Sequence, residues 1–290
     1  MPRVRVTDLF IYPVKSLRGI ALSQSSLSYT GLLHDRRWMI VRADNGQFVT
    51  QRQLPQMALI ATALDEYHLH LKSPELMPSA PTVKIPIELP DGQEMKAQVW
   101  RDECRVVDAG DEVGHWLSQA LASPKPLRLV AMAPDFKRLQ SQAHRFGDQA
   151  AIFADAAPFL FANRDSLEVL NQRLVAEDKP TAVIEQFRPN IVVAGLEPFS
   201  EHDYKRIHSS GGEYTLQLHD RCERCSMISV NPKTGERYPE QEPYKTLALY
   251  NAMPDKPQAA AFGENASLMR GDGQNIGVGD WLSIDRELED

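Results

Sequence analysis

The chain has 290 residues, of which 42% are hydrophobic, 24% charged and 8% aromatic, the profile of a globular protein able to bury a core. Thirty-two basic residues against 39 acidic ones give a net charge of −7, which excludes a general role in coating nucleic acid. No run of 18 apolar residues is present, and Met1 to Ser16 lacks the apolar core of a signal peptide, so a cytoplasmic protein without a membrane partner is expected.

The first 60 residues alternate as strands: Val4, Val6, Leu9, Ile11 and Val14, then Trp38 to Val41 and Phe48-Val49. Asn45-Gly46 between the last two predicts a hairpin with a type I′ turn, because both residues tolerate positive φ. Short strands continue through His68 to Leu71, Val83 to Ile87 and Ala97 to Trp100, with a turn at Pro90-Asp91-Gly92. A helix is predicted from Asp111 to Leu121, with Asp111 as N-cap and Val113, Trp116, Leu117 and Ala120 on its apolar stripe. Pro134 to Asp148 reads as a loop between two halves. A second helix starts at Asp165, where Asp165 and Glu168 have capping-box spacing and Leu167, Leu170 and Leu174 form the buried stripe. Ile191 to Gly195, Tyr214 to Leu218 and Ser226 to Val230 read as further strands, and Ile276 to Ile284 as a turn into a closing strand.

Cysteine is the informative residue. Cys104, Cys222 and Cys225 are too few for a disulfide framework or a four-thiolate iron–sulfur cluster, and two of them form one CxxC. That pair suits a redox couple, a thiolate ligand for a soft metal, half of a zinc site completed by His202, His208 or His219, or two small buried hydrophobes. Arg221 and Arg224 are expected to favour the Cys225 thiolate. Lys15, Ser16, Arg36 and Arg188 are the residue types that gather around phosphate, although Lys15, Ser16 and Arg36 each alone read more readily as solvated surface residues and Arg188 equally well as a structural ion-pair partner.

Taken together these pieces match one family. Tyr12-Pro13-Val14-Lys15-Ser16, Asp35-Arg36-Arg37-Trp38 and Thr50 to Pro55 resemble the N-terminal β-barrel domain of MOSC proteins. Pro158-Phe159-Leu160, Phe187-Arg188-Pro189-Asn190, Cys222-Glu223-Arg224-Cys225, Asn231 to Gly235, Phe262-Gly263-Glu264-Asn265 and Val278-Gly279-Asp280 resemble the MOSC domain itself, in order, over nearly the whole chain. The similarity extends to the branch that holds the mitochondrial amidoxime reducing component and its bacterial relatives, without the C-terminal ferredoxin domain of some of them.

The resemblance implies an α+β, mostly β fold: an N-terminal β-barrel-like domain over residues 1–122, packed against a MOSC β-barrel with a few helices over residues 123–290. It implies the molybdenum cofactor, with Cys225 as molybdenum ligand and Cys222 as a neighbour that does not bind the metal. Lys15, Ser16, Arg36, Arg188 and Asn190 are the implied cofactor contacts. The activity implied is reduction of N-hydroxylated compounds with electrons from a separate ferredoxin- or flavodoxin-type donor. Asp220, His219 or solvent would supply protons. Persulfide transfer and non-catalytic cofactor carriage are the alternatives. The sequence departs from the family at Ala156 and Ala157, where some relatives carry a hydroxyl residue, and at Ile228, where a Thr is usual.

Overall fold

A computed structural model describes residues 2–89, 92–138 and 151–286; the predicted turn at Pro90-Asp91 and most of the predicted 134–148 loop lie outside them. Most of the regular structure is β, as expected. Seven strands close into a barrel in the order Phe159–Asn163, Ile191–Ala194, Arg3–Ile11, Trp281–Asp285, Arg206–Ser209, Thr215–Glu223 and Lys256–Arg270, the last pairing back to the first. Its interior is filled by the alternating apolar residues that mark these strands, among them Val4, Val6, Phe161, Ile191, Leu216, Ala266 and Leu282.

A four-stranded sheet lies beside it, ordered Trp38–Arg42, Leu127–Met132, Asp102–Asp108, Glu94–Val99. Its first strand is buried on both faces: Trp38 and Ile40 pack with Trp116 and Leu117 of the Asp111–Ala120 helix, whereas Met39 and Val41 pack with Val106, Val130 and Phe153. A continuous apolar run rather than an alternating one is the consequence. Strands from both sides of residue 122 share each sheet: Arg3–Ile11 completes the barrel, and Leu127–Met132 joins Trp38–Arg42 to Asp102–Asp108.

Local readings are corrected in four places. The Asn45-Gly46 hairpin exists, but its loop is longer than a type I′ turn, with Arg42 N–H bonding to Gln47 O at 2.9 Å, and only Gly46 has positive φ (66°). Glycine is required there twice over, since a Cβ would sit 2.4 Å from Lys96 O. Gly110 rather than Asp111 caps the first helix; Asp111 instead pairs with Arg128 at 2.5 Å. The second helix is Arg164–Ala176, capped by Asn163, whose side chain accepts from Asp165 N–H at 3.1 Å. Ser226–Ser229 is a 3-10 helix instead of a strand, because Ile228 and Val230 N–H close back onto Cys225 and Met227 carbonyls.

One irregularity shapes the site. Leu218 pairs with Ala266 but Asp220 pairs with Asn265, so His219 is an extra residue, and the bulge turns the following side chains over. Asp220 thereby shares a strand face with Asn265, and Arg221 with Glu264.

Candidate functional site

A cleft of about 450 Å³ opens where barrel strand ends meet the loops of the four-stranded sheet. Lys15, Ser16, Arg36, Arg188, Asn190 and Cys225, spread over 211 positions of sequence, all line it. Asp220 does not; it sits behind Asn265, whose Nδ2 donates to Asp220 Oδ1 at 2.9 Å.

The cationic end is built by two backbone segments zipped together. Tyr12 N–H donates to Asp35 Oδ1 at 2.8 Å, Arg36 N–H to Tyr12 O at 3.0 Å, and Lys15 N–H to Trp38 O at 2.8 Å. Ser16, Arg36 and Arg188 all adopt left-handed backbone conformations, with φ of 68°, 46° and 57°. Such conformations are uncommon for side-chain-bearing residues and persist where surrounding bonds enforce them. Gln51 Nε2 grips Ser16 O at 2.7 Å, and Arg188 caps the short helix Ile184–Phe187.

The two arginines stack on one buried ring: the Arg36 and Arg188 guanidinium carbons lie 4.5 and 4.1 Å from the Tyr12 centroid. Arg36 is further held by the Asp35 carboxylate, by Asn190 Oδ1 at 3.0 Å and by Arg188 O at 3.0 Å. Asn190 also accepts from Leu160 N–H and donates to Phe10 O, so its amide is consumed in fixing Arg36 and the strand ends. Arg188 Nη1 donates to Leu17 O at 2.7 Å, while its buried Nη2 has no partner. Burial and the neighbouring Arg36 charge push the Arg188 guanidinium down to about 10.

Lys15 is 4% exposed and bonds to Phe153 O at 2.7 Å and Asp155 Oδ1 at 2.5 Å. Burial lowers the pKa of its ammonium, and Asp155 opposes that shift. Arg138, also buried, grips the Ile152 and Ala154 carbonyls and pairs with Asp102 at 2.9 Å.

At the other end, the Thr215–Glu223 strand delivers Cys222 and Cys225 to the rim. Cys225 is exposed at the start of the 3-10 turn. Its expected cationic neighbours act elsewhere, which corrects the sequence reading. Arg224 donates to Cys222 Sγ at 2.9 Å and Phe187 O at 2.8 Å, and Arg221 reaches Ala252 O at 3.0 Å. Burial pushes the Cys222 thiol up, with Arg224 opposing. The Arg224 Nε is buried without a partner. The three histidines of the zinc alternative are committed away from the cysteines: His202 to Glu264, His208 to Asp285, His219 to Ser267.

Among the described residues, the cleft carries six cationic side chains, Lys15, Arg36, Arg52, Arg138, Arg188 and Arg224, against the carboxylates Asp155 and Glu223. The lining is strongly cationic in a chain of net charge −7, a charge balance that suits an anionic ligand, and two guanidinium N–H groups, on Arg188 and Arg224, are buried without partners. Arg52, Trp100, Arg138 and Asp155 were missed in the sequence. Thr50 to Pro55, a stretch noted for family resemblance, was the available signal for Arg52, whereas no local pattern marked the others.

The profile of the MOSC N-terminal beta barrel domain matches residues 3–124, and that of the MOSC domain matches residues 148–283. The chain belongs to the MOSC family. It is 32% identical over 252 residues to mitochondrial amidoxime-reducing component 1 of Danio rerio, covering 84% of this chain and 74% of that protein. The Xenopus laevis counterpart is 33% identical over 254 residues, covering 84% and 71%. Molybdenum cofactor sulfurase of Solanum lycopersicum is 32% identical over 272 residues, which are 84% of this chain but 31% of the sulfurase. This MOSC chain is thus associated with molybdenum-cofactor proteins, and its relatives support an oxidoreductase role. No helix among the described residues is long and apolar enough to cross a membrane.

Proposed function

We propose that this MOSC protein is a molybdenum-cofactor-dependent reductase of N-hydroxylated compounds: hydroxylamines, amidoximes or N-hydroxylated base analogues. The observation that carries the reading is the cleft itself, lined by six cationic side chains against two carboxylates and bordered by an exposed thiol. The donor set fits the group. Arg188, Arg36, Lys15 and Ser16 are suited to hold its phosphate, Asn190 to keep Arg36 in place, and Cys225 to bind a soft metal. When bound, the cofactor supplies a two-electron couple at a molybdenum held by sulfur ligands.

Reducing N–OH to N–H with release of water consumes two electrons and two protons. Electrons are proposed to come from a separate ferredoxin- or flavodoxin-type protein. Asp220 is the proposed proton source, since the His219 bulge turns it to the Asn265 side of the strand, next to the cleft. Cys222, occupied by Arg224, is proposed to remain off the metal.

The test is molybdenum and pterin content after co-expression with the cofactor pathway, followed by reduction of an N-hydroxylated purine with a chemical electron donor. About one of each per chain in the wild type and in Cys222→Ala, with loss in Cys225→Ala, supports the assignment. Equal loss in both variants overturns the single-thiolate ligand. A metal-free protein that carries cyanide-releasable sulfur moves the function to persulfide transfer.

A further inference from the structure

The hairpin joining Glu94–Val99 to Asp102–Asp108 turns on two residues, because Val99 pairs directly with Asp102. The first of them is Trp100, with φ of 57°. Two-residue turns fill left-handed positions with Gly, Asn or Asp, which have little or no side chain to clash. A bulky aromatic there breaks the local rule and is 43% exposed, so burial does not explain it.

The ring is nevertheless firmly placed. Trp100 Nε1 donates to Asp155 Oδ1 at 2.8 Å, the Arg52 guanidinium lies 4.4 Å over the ring, and Phe48 meets it edge-on at 5.2 Å. Trp100, Arg52 and Asp155 all line the cleft that Cys225 borders. Asp155 receives both Lys15 and Trp100 on Oδ1 and its side chain is 59% exposed, which leaves Oδ2 for a donor from a ligand. The surrounding cleft walls desolvate the Asp155 carboxyl and push it upward, but the Lys15 charge and these two hydrogen bonds outweigh that and hold the group well below the usual range.

We propose that Trp100 and Arg52 form a stacking wall for a flat nitrogen heterocycle whose N–H edge is read by Asp155, as in a pterin or an aminopurine. Stacking supplies affinity for any flat ring, and the carboxylate selects rings that present donors on the adjacent edge. The shared chemistry has two sources, the pterin of the cofactor and a heteroaromatic N-hydroxylated substrate. The assignment deepens the reductase reading of this cleft and rests on it.

Calorimetric titration of the cofactor-free protein with free pterin, with adenine and with N-methylhydroxylamine tests it. At least one ring is expected to bind saturably and the aliphatic control not at all. Trp100→Gly, which suits the left-handed turn, and Arg52→Gln are each expected to weaken ring binding at least tenfold while retaining the wild-type circular dichroism. Pterin binding together with lowered molybdopterin content in Trp100→Gly assigns the wall to the cofactor. Adenine binding, with unchanged cofactor content and a raised KM for an N-hydroxylated purine only, assigns it to the substrate. Absence of binding by either ring, or equal binding by wild type and both variants, overturns the proposal. The titration needs no electron transfer, so a protein that binds the ring but reduces nothing sinks the reductase reading and leaves the wall intact.

Discussion

Two regions of this molecule bury ionisable groups, and they do so in opposite ways. In the cleft, Arg188 and Arg224 keep buried N–H groups without partners, and three residues hold strained left-handed backbones. At the Ser200–Asp203 3-10 helix beside the barrel, the Glu201 residue and the His202 side chain are also buried but have every polar side-chain atom engaged. Ser166 donates to both Glu201 oxygens, with Asn163 on one of them. Asn251 Nδ2, fixed by its bond to Ala261 O, donates to His202 Nε2 at 2.9 Å, so the neutral ring carries its proton on Nδ1 and gives it to Glu264. Satisfied burial is what a structural network looks like. Unsatisfied burial at a cleft is a different arrangement, because those N–H groups carry a desolvation cost that no protein partner offsets.

Substitutions in the two regions should therefore separate binding from stability. Cys225→Ala is expected to have the largest effect, near-complete loss of molybdenum with little change in Tm, since an exposed thiol supports no packing; retention of the metal would remove Cys225 as its ligand. Glu201→Ala should leave cofactor content unchanged but cost about 2–3 kcal/mol of stability, because Ser166 and Asn163 lose a buried acceptor. Chemical denaturation measures this, and a cost below that of an ordinary surface substitution would break the contrast. Arg188→Met should weaken cofactor retention about tenfold, roughly 1.4 kcal/mol, without lowering Tm. A clear drop in Tm with unchanged cofactor would make Arg188 structural.

A pH scan sharpens the same contrast. Burial and the Asp220 charge push Glu264 up to about 8, and burial pushes His202 down to about 4. The folded state therefore holds the Glu264 proton after the unfolded chain has released its own, so this contribution to stability falls as pH rises from the ordinary carboxylate range to about 8. His202 works in the opposite sense, adding stability between pH 4 and its ordinary value near 6.5. Above pH 6.5 the His202 contribution is constant while the Glu264 decline continues, alongside one of the same sign from Glu201, whose carboxyl burial also raises, so Glu264→Gln should reduce the slope; an unchanged slope in Tm against pH would exclude Glu264 as a source. The smallest expected effect is Ser16→Gly, where relief of the left-handed backbone is worth about 1 kcal/mol and shows as a slightly raised Tm.

Much of the barrel was legible because alternation survives in single strands: Val4 and Val6, or Leu216 and Leu218, point inward wherever their partners come from. Caps were less legible, since Asn163 and Asp165 are both good capping residues and only the path of the backbone chose between them. Lys15, Arg36, Arg188 and Cys225 stood out by type and motif. Arg138, Asp155 and Trp100 did not, because each gains its role from a neighbour far along the chain: Asp102 for Arg138, Lys15 for Asp155, Arg52 for Trp100.

Composition, strand periodicity and residue motifs, each a property of a few neighbouring positions, thus determined the mostly β class, the family and the short list of cleft residues. Tertiary structure decided which cations stay unpaired, that Arg224 serves Cys222 rather than Cys225, and that the His219 bulge turns Asp220 toward Asn265. Those outcomes depend on distances of a few ångströms between segments that the fold brings together, such as Phe187 with Arg224 and Leu17 with Arg188, and on a one-residue shift of register. Local sequence carries neither quantity, because hydrogen bonding and desolvation are settled only when the sheets close.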